Sequence, residues 1–247
     1  MRCLILAAGY ATRLYPLTEN FPKPLLKVRD KAILDWLLED MRTCAEIEEY
    51  IVISNHKFAS VFESWAGEKR LQGYPVRVLD DGTSSNETRL GAVKDVQFAV
   101  ETLELSGDLL VLAGDNLLDF SLCRFTDYAK QKGKSCIMRY YEADDARLKK
   151  SGVVVVDEND LVLEMTEKSP APATHWCCPA FYYYTAEDAK RIPDAIADGC
   201  GTDAPGSFIA WLCRHSPVYA MEMPGARYDI GDIKSYEAVQ ENYKGYL

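Results

Sequence analysis

The chain has 247 residues, 48% apolar and 27% charged, enough for one large α/β domain with a sizeable core. Its formal net charge of −10 argues against nucleic acid or anionic membranes as partners, because both need a basic field. No run approaches the roughly 20 apolar residues of a membrane-spanning helix.

The N-terminal run Met1–Leu6 is followed by Ala7-Ala8-Gly9 and soon by Arg13. It is too short for a signal segment with a cleavage site and reads as a buried first strand, which leaves the cytoplasm as the expected compartment. Strands are predicted next at Tyr50–Ser54, Val76–Leu79 and Asp108–Ala113, each short and rich in Val, Ile and Leu. Between them, Ala32–Thr43, Phe58–Ala66 and Leu90–Leu103 repeat apolar residues every three or four positions, as helices do. This alternation predicts a mostly parallel, Rossmann-like sheet flanked by helices, with ligands at the carboxyl ends of its strands. The second half is richer in strands: Lys134–Tyr141, Val153–Asp157, Leu161–Glu167, Ala180–Thr185 and Val218–Glu222. Helices are predicted at Ala186–Ala197 and Ser207–His215, and a closing helix at 233–243 with Ile233, Tyr236, Val239 and Tyr243 on one face. We find no linker or internal repeat, so residues 1–247 read as one domain with an antiparallel, strand-rich insertion. Its halves divide at 1–120 and 121–247, the second carrying the closing helix.

The eight cysteines are irregularly spaced and the three histidines (His56, His175, His215) are dispersed. Neither pattern suits zinc, and the cysteines, including the vicinal Cys177-Cys178, read as reduced thiols with several in the core.

Chemistry concentrates after the first strand. Small residues at Ala7, Ala8, Gly9 and Ala11 let backbone amides approach an anion closely. Arg13 adds a permanent cation able to fork onto phosphate, and Lys23 stands between Pro22 and Pro24. A second cation there would offset charge on a departing pyrophosphate. Asp115, in Ala113-Gly114-Asp115-Asn116, follows a buried strand, where a carboxylate can hold Mg²⁺.

The run L-A-A-G-x-A-T-R-L-x-P-L-T-x₅-K-P, from Leu6 to Pro24, resembles the nucleotide-binding signature of the sugar-1-phosphate nucleotidylyltransferases. The resemblance implies that Leu6, Ala8, Gly9, Tyr10, Ala11 and Thr12 bind nucleotide, and that Arg13 and Lys23 handle its phosphates. Ala11 departs from the pattern, where a second glycine is usual. Arg227-Tyr228-Asp229-Ile230-Gly231-Asp232 is similar to the family's W-x-D-[TI]-G-T. It implies that Asp229 joins Asp115 on the metal; Asp232 replaces a threonine and is equally readable as a helix N-cap. The loop from Asp80 to Ala92 matches the family's base-reading loop in position, with Asn86 and Gly91 as candidate contacts. Asn86, Ser84 and Ser85 are equally suited to turn bonds within that loop, and the identity of the base stays open.

For the sugar phosphate, Glu167-Lys168 resembles the family's E-K-P segment, Gly152 its Y-G-V-V strand start, and Ala180–Tyr184 its G-L/I-Y-x-Y strand, with Tyr182 as the contact. Packing is the competing reading for alternating tyrosines. The resemblance implies Mg²⁺-dependent condensation of a nucleoside triphosphate with a sugar 1-phosphate, in a family where homodimers are common. Alternatives are the same chemistry on another phosphorylated alcohol, or a sugar-nucleotide-binding regulator without turnover. A glycosyltransferase would show a D-x-D motif, whereas Gly114-Asp115-Asn116-Leu117 offers one acid.

Overall fold

The structure is a computed structural model and describes residues 1–44 and 46–245. The chain folds into two compact units: Met1–Arg89, Ala113–Arg124 and Pro224–Leu247 form one, and Leu90–Leu112 with Phe125–Met223 the other.

The first unit is built on three parallel strands: β1 (Arg2–Leu6), β4 (Glu49–Ser54) and β5 (Val76–Asp80), with Leu4 opposite Ile51 and Val52 opposite Val78. Leu4, Ile5, Ile51, Val52 and Ile53 are wholly buried, as continuous apolar runs are when a parallel sheet is covered on both faces. Helices α1 (Ile33–Met41) and α2 (His56–Leu71) accompany them. Helix α2 is capped by Asn55, whose Oδ1 accepts the Phe58 amide at 3.1 Å. Two small antiparallel pairs complete the strands: β2 (Lys27–Val28) with β3 (Lys31–Ala32), and β7 (Asn116–Leu118) with β14 (Arg227–Asp229). The closing helix, α9 (Ile233–Asn242), packs Val239 into a cluster with Leu14, Leu26, Val28, Ile33, Leu117, Ile230 and Tyr243. Tyr243 is wholly buried and its hydroxyl donates to the Leu118 carbonyl at 2.8 Å. Ile233, expected on the same face, is exposed instead, because it opens the helix beside its N-cap.

The second unit carries the antiparallel part. Strand β12 (Phe181–Tyr184) runs antiparallel to both β6 (Leu109–Ala113) and β8 (Ser135–Tyr141). Strand β8 also pairs with β13 (Val218–Glu222), in parallel, and with β11 (Trp176–Cys178). Strand β9 (Gly152–Val156) lies between β10 (Val162–Glu167) and β11, antiparallel to each. Around these strands sit α3 (Ala92–Thr102), α4 (Cys123–Lys132), α5 (Asp145–Leu148) and α8 (Gly206–Leu212). The helix expected over 186–197 is two short ones, α6 (Ala186–Ala189) and α7 (Ile192–Ala197). Pro193 explains the break, since proline is tolerated in a helix's first turn and not in its interior. Among the described residues no helix is long and apolar enough to cross a membrane.

The cysteine reading needs one correction: Cys44 and Cys123 form a disulfide, and the other six cysteines are outside any disulfide. The bond joins residues 79 positions apart, with Cα atoms 5.3 Å from each other. Local spacing does not reveal such a pair; the fold of the first unit brings it together. Closing a loop of that length stabilises a native state by about 3–5 kcal/mol. Reduction, or the double substitution Cys44→Ser/Cys123→Ser, is therefore expected to lower the unfolding free energy measured in urea by that amount. Titration of unfolded, unreduced protein should find six thiols.

Candidate active site

The loop after β1 is built by local necessity. Ala7 and Ala8 are buried; the Ala7 amide donates to the Ile53 carbonyl at 2.9 Å, and the Ala8 carbonyl accepts from Asn55 Nδ2 at 2.9 Å. Tyr10 is buried and its hydroxyl reaches the Thr83 carbonyl at 3.1 Å. Ala11 lies in the left-handed region (φ 48°, ψ 42°) and caps a 3₁₀ turn, Thr12–Leu14. An L-residue there is strained by roughly 1 kcal/mol or more. The buried Thr18 holds it, donating from Oγ1 to the Ala11 carbonyl at 2.8 Å. Arg13 is exposed.

Lys23 opens a second 3₁₀ turn, Lys23–Leu25, and is 8% exposed. Its ammonium pairs with Asp115 Oδ2 at 2.7 Å. From there a polar chain runs on: Asn116 Nδ2 donates to Asp115 Oδ1 at 2.7 Å, and Arg227 NH1 donates to Asn116 Oδ1 at 2.7 Å. Arg227 NH1 also lies 3.6 Å from Asp229 Oδ1. Arginine is donor-only, so it fixes which end of the Asn116 amide faces Asp115. The β7–β14 pairing sets Asp229 directly opposite Asn116, the neighbour of Asp115. Burial alone would raise the Asp115 carboxyl, but the Lys23 ammonium, its hydrogen bond and the Arg227 guanidinium together hold it below the usual aspartate range.

Leu6, Gly9, Ala11, Arg13, Lys23 and Asp115 line one cavity of about 180 Å³, together with Gly231. Thus small residues, two cations and an acid from distant positions face a common space. Ala8, Tyr10 and Thr12 shape the loop without lining that cavity. Asp232 is the N-cap of α9 in a capping box with Ser235, the second of its two expected roles. Asn86 is exposed and accepts from Arg89 NH1 at 2.7 Å, a bond internal to its loop.

Among the described residues no three or more His, Cys, Asp and Glu side chains are grouped to hold a metal. Mg²⁺, however, is ordinarily held by one or two carboxylates with water and phosphate oxygens completing its shell. Asp115 keeps lone pairs beyond those given to Lys23 and Asn116, and the Asp229 side chain is half exposed. This all-oxygen pair fits that ion.

In the second unit, Glu167 lies opposite Gly152 in the β10–β9 register. Burial raises the Glu167 carboxyl above the usual range, opposed by the Lys168 charge and by the Gly206 amide that donates to it. Lys168 is exposed and left-handed (φ 49°), with its amide bonded to the Ser151 carbonyl at 3.0 Å. Strained non-glycine backbone of this kind clusters at functional sites. Gly91 (φ 91°) precedes α3; a β-carbon there would lie 2.5 Å from the Thr202 carbonyl oxygen, so its hydrogen is packed against protein backbone. Tyr182 is 1% exposed, stacks on Tyr184 at 5.9 Å between ring centroids, and lines a water-sized internal cavity with Phe208 and Val111. All four residues of β12 are buried, which is the packing reading of these tyrosines. Sequence reasoning passed over Asn55, Asn116, Arg227 and Gly206. Only Asn55 carried a local signal, a polar cap before a helical run.

Leucine at position 116 keeps the volume but breaks the polar chain at its centre. Asn116→Leu is expected to cost about 1–3 kcal/mol in urea unfolding, the price of partners left unsatisfied.

A family model described as nucleotidyl transferase matches residues 2–245. A UTP–glucose-1-phosphate uridylyltransferase of Synechocystis sp. is 25% identical over 246 residues, covering 96% of this chain and 61% of the relative. A glucose-1-phosphate thymidylyltransferase of Actinoplanes sp. is 28% identical over 190 residues, covering 76% of this chain and 59% of that one. The chain thus spans about three fifths of the length of these relatives. A solved UDP-glucose pyrophosphorylase in complex with UDP-glucose superposes with a TM-score of 0.81 at 19% identity, covering 98% of this chain and 97% of its own. That likeness shows the fold: mixed α/β, with a parallel sheet flanked by helices and added antiparallel strands, as the alternation of elements predicts. The chain belongs to the nucleotidyl transferase family.

Proposed function

We propose that this protein is a Mg²⁺-dependent sugar-1-phosphate nucleotidylyltransferase that joins a nucleoside triphosphate to a sugar 1-phosphate and releases pyrophosphate. The observation that carries this is the common cavity of Arg13, Lys23 and Asp115, roofed by a loop of small residues, in a chain of this family.

A phosphate oxygen of the sugar phosphate attacks the α-phosphorus in line. The bond from that phosphorus to the α–β bridging oxygen breaks, and its electron pair leaves with pyrophosphate. A phosphate monoester is already ionised near neutral pH, so no general base is required. The protein's task is positioning and charge. Arg13 and Lys23 take the triphosphate, and Lys23 exchanges its bond to Asp115 for one to phosphate as it does so. Glu167 accepts hydrogen bonds from sugar hydroxyls, and Lys168 binds the 1-phosphate. Asp115 and Asp229 would hold Mg²⁺, which when bound neutralises phosphate charge and orients the α-phosphate.

The test is pyrophosphate release across the common nucleoside triphosphates and a panel of sugar phosphates and phosphorylated alcohols, with and without Mg²⁺. The expected result is Mg²⁺-dependent release that needs one of each substrate. Asp115→Ala should abolish it, and Lys23→Ala should slow it about 10²–10³-fold, as when a preorganised partner of developing charge is lost. Silence from every pair, while nucleotide sugars still bind, would replace the reading with a binding regulator.

The raised Glu167 carboxyl makes a separate claim. Ionised, it accepts through both oxygens; protonated, one of them becomes a donor, so nucleotide-sugar affinity should fall as pH drops through a value above the ordinary glutamate range of about 4.3. The diphosphate of a nucleotide sugar has no ionisation near neutrality to mimic this. Calorimetric titrations at several pH values check it, and Glu167→Gln should remove the dependence.

A further inference from the structure

The segment that leads from Thr202 into the first residue of α8, Gly206, carries no recognisable motif, yet it touches two of the candidate positions in the second unit. On one side, the Thr202 and Asp203 carbonyls accept the amides of Val93 at 3.0 Å and Ala92 at 3.2 Å, closing over Gly91. On the other, Gly206 faces Glu167. A β-carbon at 206 would lie 2.0 Å from Glu167 Oε1 and 2.3 Å from Met165 Cε. One at Gly152 would lie 3.1 Å and 2.7 Å from the same two atoms.

Two glycines from separate parts of the unit therefore leave a slot that fits one carboxylate and one methyl. Gly152 belongs to a sequence pattern already singled out; Gly206 does not. Its φ is not in the left-handed region, so backbone freedom does not explain a glycine here. Clearance does. The atoms a methyl at 206 would meet are the far ends of two flexible side chains rather than backbone. An alanine is thus accommodated by pushing Glu167 and Met165 aside, with the fold intact.

We propose that Gly206 is the positioning residue for Glu167: its missing β-carbon leaves the room in which the carboxylate stands, and so sets where that acid meets the sugar. This rests on the sugar-phosphate reading of Glu167 given above. It adds the residue that determines where that acid stands, and hence which hydroxyl pattern it can receive.

The test is Gly206→Ala in the full chain, measured in three ways. Nucleotide-sugar affinity and the KM for sugar phosphate should worsen about 10-fold or more, the scale of a misplacement near 1 Å. Affinity for the triphosphate should stay unchanged, and so should the melting temperature. In a Glu167→Ala background the substitution should cost little further, because the two share one mechanism. Met165→Ala/Gly206→Ala, which vacates the methyl half of the slot, should regain part of the loss. Unchanged sugar affinity in Gly206→Ala, or a penalty that adds in full to that of Glu167→Ala, overturns the proposal. Crystal structures of wild type and Gly206→Ala read the seat without any substrate. A carboxylate that does not move overturns the proposal even if turnover is established, whereas one that moves supports it even if no sugar phosphate is ever turned over.

Discussion

The first unit is organised around the ion pair of Lys23 with Asp115. Lys23 is almost wholly enclosed, and an ammonium in that position must be paired or lose its charge. Asp115 meets that need at 2.7 Å, and it can do so only if the turn at Lys23 and the loop after β6 arrive together. Buried pairs contribute little net stability against apolar substitutes, yet removing one partner is expensive, because the other charge is stranded. The pair is thus a weak reason for the fold to exist and a strong reason for it to keep this geometry. Under the proposed reaction the same property is useful: phosphate offers Lys23 a second partner, and Asp115 is then released toward a cation.

Asn116 and Arg227 extend that constraint. Arg227 orients the amide, the amide holds one oxygen of Asp115, and Arg227 stands beside Asp229. Both candidate metal acids are therefore fixed by one guanidinium, arriving on a strand that pairs with β7. Asp232 serves the backbone of α9 as its cap, whereas Arg227 serves the acids.

How much of this was legible depended on whether the signal was local. Small residues after a buried strand, a lysine between prolines and an acid at a strand's end are each written in a few adjacent letters, and the cavity that gathers them follows the sheet's parallel order. The disulfide, the Asn55 bond to Ala8 and the Arg227 bond to Asn116 are pairings between distant segments, with no pattern to announce them. Tyr182 shows where local signal is ambiguous. Its strand was open to both a contact and a packing reading, and β12 lies between β6 and β8 with every residue buried, so packing alone accounts for the run of tyrosines. Gly91 was legible as a special glycine, and its neighbour proved to be the Thr202–Asp203 backbone.

Ala11 shows how a departure from a motif is absorbed. A glycine at this place would take a left-handed conformation at no steric cost, and Ala11 holds that conformation at φ 48°. The strain, roughly 1–2 kcal/mol, does not act alone. Ala11 packs against the cluster that contains Leu14, Ile230 and Tyr243, and burying one methyl recovers up to about 0.8 kcal/mol. An alanine also has less freedom to lose from the unfolded chain than a glycine, by about 0.4–1 kcal/mol. Together these terms nearly cancel the strain, and the Thr18 bond to the Ala11 carbonyl fixes which conformation is kept. The left-handed residue before the 3₁₀ turn that carries Arg13 is therefore kept with alanine in the place of glycine.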